Sequence, residues 1–315
     1  MSEAAIITRD LSKTFGHFQA LDNFNITVYS GQIHGFLGPN GAGKSTTIRV
    51  FLGMLRATSG EVQVLGMDPW ADSVALHHRL AYVAGDTSLW PNLSGGEAID
   101  VLTRHQRSPA QQQRRDELIE KFELDPRKKS RTYSKGNRQK VALVAALSLD
   151  VELYLLDEPT AGLDPLMEAI FTEEVRKFRS EGRTILLSSH ILGEVEKLCD
   201  RISIIREGTD VEHGTLQELR HLTRSTITAT TPGDPARLST APGVHRFESE
   251  GPDIRFDIDN DRVNEVLGML ATLGVDNLRI NPPSLEDLFL RHYGGAGREG
   301  PTGSDTDSST DAQVS

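Results

Sequence analysis

The residues most able to do chemistry form two short runs. The first is Gly38-Pro39-Asn40-Gly41-Ala42-Gly43-Lys44-Ser45-Thr46. It fits G-x-x-x-x-G-K-[ST] at every position, the pattern of a phosphate cradle. Its glycines let the backbone curl so that successive N–H groups point inward at an anion. A helix expected to begin at Ser45 aims its positive dipole end at the same place. Lys44 is placed for the outer phosphates of a nucleotide and Ser45 for Mg²⁺. The second run is Leu153-Tyr154-Leu155-Leu156-Asp157-Glu158-Pro159-Thr160, an apolar strand ending in two carboxylates. Asp157 suits the water shell of Mg²⁺, and Glu158 suits polarisation of an attacking water. A lone Asp-Glu pair is commonly just a solvated strand end. Beside a complete phosphate cradle that reading loses its force.

These side chains need a scaffold, and alternation of strand-like and helical segments up to about Arg220 supplies one. Ile6–Thr8, Phe24–Tyr29, Gln32–Leu37, Leu80–Val83, Leu153–Leu156 and Thr184–Ser188 read as strands. Thr46–Arg56 reads as a helix with Ile48, Phe51, Leu52 and Leu55 on one face. The apolar strand before the cradle and the amphipathic helix after it argue against a chance glycine-rich turn. The fold class expected is α/β, with a mainly parallel core sheet covered by helices. Residues 95–149 read as a helical insert opened by a capping box of Ser94 and Glu97, and the polar run Gln106–Glu120 as a solvated face of it.

Near Thr223 the pattern changes. Ser225–Thr230, Val244–Glu248, Ile254–Ile258 and Val275–Ile280 read as strands, Arg262–Leu273 as a helix and Leu285–His292 as a short one. The expected organisation is a domain over residues 1–222, a small α+β domain over 223–293 and a disordered tail over 294–315, where almost nothing is available to bury. The chain carries a formal net charge of -11, which disfavours nucleic acid as a partner. Its single cysteine, Cys199, excludes an intrachain disulfide and reads as a buried helix residue. Residues 1–10 lack the pattern of a secretory signal. No apolar run approaches the ~20 residues of a membrane span.

Between the two chemical runs lies Tyr133-Ser134-Lys135-Gly136-Asn137-Arg138-Gln139-Lys140, 23 residues before Asp157. It resembles the signature of the ATP-binding cassette (ABC) ATPases, usually close to L-S-G-G-Q. Ala161-Gly162-Leu163-Asp164 resembles the D-loop that joins two such subunits. Ser188-Ser189-His190 resembles the strand end carrying the histidine that contacts the γ-phosphate. His17, His34, His77, His78, His105 and His213 lack that context and read as surface or packing residues. Phe15, in Leu11-Ser12-Lys13-Thr14-Phe15-Gly16, matches the aromatic that stacks on adenine; plain core is its alternative reading. The resemblance covers residues 5–220, with six motifs in order.

What the resemblance implies is a P-loop cassette binding ATP with Mg²⁺. It would dimerise with itself or a similar subunit, and Ser134 with the Gly136 backbone would bind the γ-phosphate held by the partner subunit. It also implies a peripheral subunit at the cytoplasmic face of the membrane, driving a separate permease. Pro283-Ser284-Leu285-Glu286-Asp287-Leu288-Phe289 resembles the ending of drug- and antibiotic-export subunits. Export of a drug, antibiotic or lipid-like compound is therefore expected. An importer, a soluble cassette acting on ribosomes or nucleic acid, and a cassette that binds ATP without hydrolysing it are the rivals. Leu93-Ser94-Gly95-Gly96-Glu97 spells the signature more closely than the true candidate, but it precedes the helical insert and reads as a helix cap. After Leu80–Val83 the family usually places a glutamine; here Gly85 stands there, followed by Asp86. Asp86 is a candidate replacement that could hold a metal-bound water, and a simple turn cap is the alternative. Trp90 and Leu93 are expected in a surface groove that receives the permease.

Overall fold

A computed structural model of the chain describes residues 3–106, 108–221 and 224–281. The expected helix at Leu285–His292, the segment Pro283–Phe289, the tail after residue 293 and the expected boundary at 222/223 lie outside them. The chain divides into two compact units, Met1–Leu219 and Arg220–Ser315.

The first unit starts with long strands β1 (Ala4–Phe15) and β2 (Phe18–Tyr29), followed by β3 (Ile33–Leu37), α1 (Lys44–Phe51) and β4 (Ser59–Val64). Then come α2 (Ser73–His77), β5 (Leu80–Val83) and the helical insert, α3 (Gly95–Leu102), α4 (Pro109–Lys121) and α5 (Lys135–Ser148). β6 (Leu153–Asp157), α6 (Pro165–Ser180), β7 (Thr184–Ser189), α7 (Leu192–Leu198), β8 (Arg201–Arg206) and β9 (Thr209–Thr215) complete it, and α8 (Leu216–His221) spans the boundary. The core sheet has the order β5-β6-β7-β3-β8-β9. Its strands run parallel except β9. Every residue of β3, β6 and β7 is buried, which is why these strands read as unbroken apolar runs rather than alternating ones. A second, antiparallel sheet has the order β2-β1-β4.

Several details depart from expectation: β2 runs 12 residues from Phe18 rather than six from Phe24, and β4, β8 and β9 are not among the expected strands. β1 is 12 residues long rather than the three of Ile6–Thr8. Asp10 has φ +49 and the ladder to β2 shifts register between Thr8 and Leu11, so a bulge breaks the alternation. α1 stops at Phe51 rather than Arg56, because Gly53 turns the chain at φ +65 under the Pro69 carbonyl. Cys199 follows α7 rather than lying inside it; it is buried, and burial pushes its thiol well above the usual range, so it stays protonated.

The second unit is a four-stranded antiparallel sheet. Its elements in chain order are β10 (Ser225–Thr230), α9 (Ala236–Ser239), β11 (Val244–Glu250), β12 (Asp253–Ile258), α10 (Val263–Leu273) and β13 (Asp276–Asn281). Ile227, Ile254 and Phe256 of the sheet bury one face against Val266 and Leu270 of α10.

Candidate functional site

Parallel register sets the position of the chemistry. Leu37 pairs with Ser189, Asp157 with Ser188 and Val83 with Leu156. The ends of β3, β7, β6 and β5 therefore open on one edge of the sheet, where α/β sheets hold their ligands.

At the end of β3 the chain curls through residues 38–43 into α1. Gly43 caps the helix at φ +113, a conformation a β-carbon would strain. The Lys44 side chain turns back into the loop it follows. Its Nζ donates to the carbonyls of Gly38 at 2.6 Å and Pro39 at 3.2 Å, and lies 3.4 Å from Glu158 Oε1. The loop encloses a hollow of about 290 Å³ lined in part by Asn40, Gly41, Lys44, Ser45, Thr46 and Glu158. Gly38 and Ala42 are buried behind it.

Of the acids at the end of β6, Glu158 lines this hollow and Asp157 sits behind Ser45. Ser45 Oγ donates to Asp157 Oδ2 at 2.9 Å, and the buried Ser188 hydroxyl donates to Asp157 Oδ1. Glu158 stands at φ +47, unusual for a residue with a side chain. Its N–H is held by the Ser188 carbonyl at 3.1 Å. One carboxylate oxygen, Oε2, accepts from His190 Nδ1 at 2.6 Å. The other, Oε1, is buried with no hydrogen-bond partner and faces the Lys44 ammonium. A proton on His190 Nδ1 leaves Nε2 pointing away from Glu158. Tyr82, on β5, has its phenol pushed up to about 12 by burial and by the Asp157 charge, so it stays neutral beside the acids.

The chain's residues fit a magnesium nucleotide. Ser45 and Asp157 offer hard oxygen donors of the kind Mg²⁺ takes. Among the described residues no group of three or more His, Cys, Asp or Glu forms a metal cluster. Phosphate oxygens are what would complete such a site. The cradle carries the cation and N–H groups that phosphate requires.

Other expected residues lie farther out. Phe15 and Phe18 pair across the tip of the β1–β2 hairpin, both exposed. Phe18 and Ala20 line the hollow, and Phe15 is not among its lining residues; the Lys13 ammonium sits 5.0 Å from the Phe15 ring. Ser134 caps α5, accepting from the Asn137 N–H at 3.2 Å. Gly136 packs so tightly on the D-loop that a β-carbon would come 2.4 Å from the Gly162 carbonyl oxygen. Neither Ser134 nor Gly136 lines the hollow of its own chain. Asp164 caps α6, accepting from the N–H groups of Leu166 and Met167. Ser94 and Glu97 form both halves of the capping box, and the Ser94 N–H holds the Glu97 carboxyl below its usual range. Asp86 is exposed. A groove of about 600 Å³ runs along β5 and α5, with Tyr82, Thr87, Trp90, Leu102 and Ala145 in its wall. Leu93 is not part of that wall; its carbonyl accepts the Ser130 hydroxyl at 2.9 Å.

Sequence reasoning missed Ser188, which grips both acids, and Phe18. Ser188 was visible only as a neighbour of His190. The aromatic at 18, opposite Phe15 across a tight turn, was the available signal for Phe18.

Comparison with known proteins decides the family. Residues 21–161 match the family described as ABC transporter, and residues 214–293 match the one described as ATP-binding protein DrrA1-3-like, C-terminal domain. The daunorubicin resistance ATP-binding protein DrrA3 of Streptomyces coeruleorubidus is 31% identical, across 93% of this chain and 97% of its own length. The chain belongs to the ABC transporter ATP-binding proteins. The bacitracin transport ATP-binding protein BcrA of Bacillus licheniformis is 32% identical, across 92% of this chain and 97% of its own. A solved structure described as the ATP binding subunit of an ABC transporter is 31% identical, with a TM-score of 0.65, covering 69% of this chain and 92% of that one. As a member of this family the ABC ATPase binds and hydrolyses ATP. Lys44, Glu158 and His190 meet within one site, as do Ser45 and Asp157.

Proposed function

We propose that this ABC ATPase powers export of a drug, antibiotic or lipid-like compound through a separate membrane permease. The observation that carries the reading is likeness along almost the whole chain, C-terminal region included, to proteins named for daunorubicin resistance and bacitracin transport. An importer, or a cassette acting on ribosomes or nucleic acid, gains no support from those names.

The site gives each residue a task. Lys44 and the N–H groups of residues 40–45 bind and orient the phosphates. Ser45 and Asp157 would hold Mg²⁺, which supplies charge neutralisation at the phosphates. Glu158 Oε1, which faces the Lys44 ammonium but accepts no hydrogen bond, takes the proton of the attacking water. His190, fixed by its bond to Glu158 Oε2, presents Nε2 toward the γ-phosphate. Phe15, with Phe18 beside it, offers a ring face for adenine. Ser134 and the Gly136 backbone are left outside the hollow of their own chain, which supports a dimer in which they complete the partner subunit's site. Asp86 takes the place of the missing glutamine. The groove walled by Tyr82 and Trp90 receives the permease at the cytoplasmic face of the membrane. Among the described residues no helix is long and apolar enough to cross a bilayer. The region after residue 222 is an accessory domain that regulates or helps dimerise the subunit.

The test is to co-express the chain with a candidate multi-span permease and to supply inverted vesicles with ATP and a regenerating system on the outside. A hydrophobic fluorescent drug should accumulate inside, and Lys44→Ala should abolish this. ATP-driven depletion of the vesicle interior, or no dependence on Lys44, refutes the reading.

A further inference from the structure

Glu158 holds a left-handed backbone conformation, and something must keep it there. Such a conformation persists only where the surrounding structure over-determines it. On its N-terminal side the Ser188 carbonyl takes its N–H. On its C-terminal side stands Pro159, which has no N–H and offers the chain only a carbonyl. That carbonyl accepts from Gln139 Nε2 at 3.0 Å.

Gln139 lies on α5 and is 1% exposed. The other end of its amide, Oε1, accepts from the Thr87 hydroxyl at 2.8 Å. The two contacts fix the amide in one orientation, since turning it over would set Oε1 against the Pro159 oxygen. Thr87 belongs to the loop after β5 and forms part of the wall of the groove. Its single hydroxyl proton has a second, longer acceptor, the Ala84 carbonyl at 3.2 Å. Gly85, in the same loop, has no side chain to send toward the acids. A β-carbon there would already lie 3.3 Å from Glu158 Cβ. The loop nevertheless reaches the acid turn through Thr87 and Gln139.

We propose that Gln139 is a positioning residue for Glu158, and that through Thr87 it ties the water-activating carboxylate to the loop bordering the groove. The inference rests on Glu158 as the base. It predicts an effect on turnover rather than on nucleotide binding, because neither residue lines the phosphate hollow.

The experiment measures steady-state ATPase activity, nucleotide affinity and melting temperature of the full chain. Variants are Thr87→Val, Thr87→Ser, Gln139→Leu and the double variant Thr87→Val/Gln139→Leu, with Glu158→Gln alongside. Losing one buried link should lower kcat about tenfold with KM for ATP within about twofold of wild type. Thr87→Ser keeps the hydroxyl and should keep the rate. The double variant should be no slower than Gln139→Leu, since both act along one chain of bonds. If Gln139→Leu does not fold, the contrast of Thr87→Val with Thr87→Ser carries the test, because Thr87 is only half-buried. Wild-type kcat in Thr87→Val, a loss confined to KM, or effects that multiply in the double variant would overturn the proposal. Glu158→Gln separates the two assignments. If it stalls while the other variants turn over normally, only the positioning role fails. If it turns over normally, the base assignment falls and the positioning role with it.

Discussion

His34 gives the strand that carries the phosphate loop a calculable sensitivity to acid. It lies in β3, 2% exposed. Gln32 Nε2 faces its Nδ1 at 3.2 Å, and its Nε2 meets Ser203 Oγ at 2.9 Å. An amide N–H can only donate, so Nδ1 accepts and Nε2 carries the proton. Protonating Nδ1 would set two donors face to face in a dry strand. Burial, then the Arg201 charge and His213, push the pKa of His34 down to about 3. The unfolded chain takes the proton near pH 6.5. Between pH 6.5 and about 3 the unfolded state therefore binds a proton that the folded state refuses, and stability falls as pH falls. The loss approaches 1.4 kcal/mol per pH unit, or about 2 kcal/mol between pH 7 and pH 5. Urea unfolding of wild type and His34→Gln at the two pH values isolates the effect, because titration of the remaining groups is common to both. The drop in unfolding free energy should be about 2 kcal/mol smaller in His34→Gln. Parallel drops in the two proteins would show that His34 takes up its proton without penalty and would refute the reasoning.

Three further outcomes are expected. Glu158→Gln should bind ATP but lose roughly two to four powers of ten in kcat, the range of a general-base effect; near-wild-type ATPase activity would remove Glu158 from that role. Gly136→Ala should lower stability by about 1–3 kcal/mol in thermal or urea unfolding, since its β-carbon would press on the Gly162 carbonyl and the D-loop must shift; an unchanged melting curve would mean the loop yields freely. Asp86→Ala should lower the ATPase rate and raise the Mg²⁺ concentration needed for half-maximal activity, and a titration that superimposes on wild type would reduce Asp86 to a turn residue.

The sequence was readable where chemistry and backbone demands fall on neighbours. The run 38–46 needs glycines to curl and a cation to meet phosphate, so residue types alone announce it. The β3, β6 and β7 runs are apolar throughout because both faces are covered, and a buried parallel sheet follows. Ser94 and Glu97 satisfy each other across a single helical turn. Contacts between distant positions were hidden. Ser188 reaches an acid 31 positions earlier, and Gln139 reaches a carbonyl 20 positions later; nothing local marks either residue. The end of α1 was misjudged because Leu52 and Leu55 continue a helical face past Gly53, where the close approach of Pro69 forces the turn.

The same distinction explains why the site is complete on one side only. Lys44, Ser45, Asp157, Glu158 and His190 are bound to one another or to strand ends, so the sheet register holds them in place before any ligand arrives. Ser134 is held differently. Its oxygen accepts the Asn137 N–H, but that leaves its hydroxyl proton to give to an anion. The helix behind it is anchored within its own subunit, since α5 is buried from Gln139 to Ser148 and Gly136 is wedged against the D-loop. A donor fixed to a buried helix can meet a phosphate only if that phosphate is brought to it. In the proposed dimer the moving part is therefore the whole partner subunit. Catalysis becomes conditional on closure between chains, and closure is the motion a permease seated in the groove could feel.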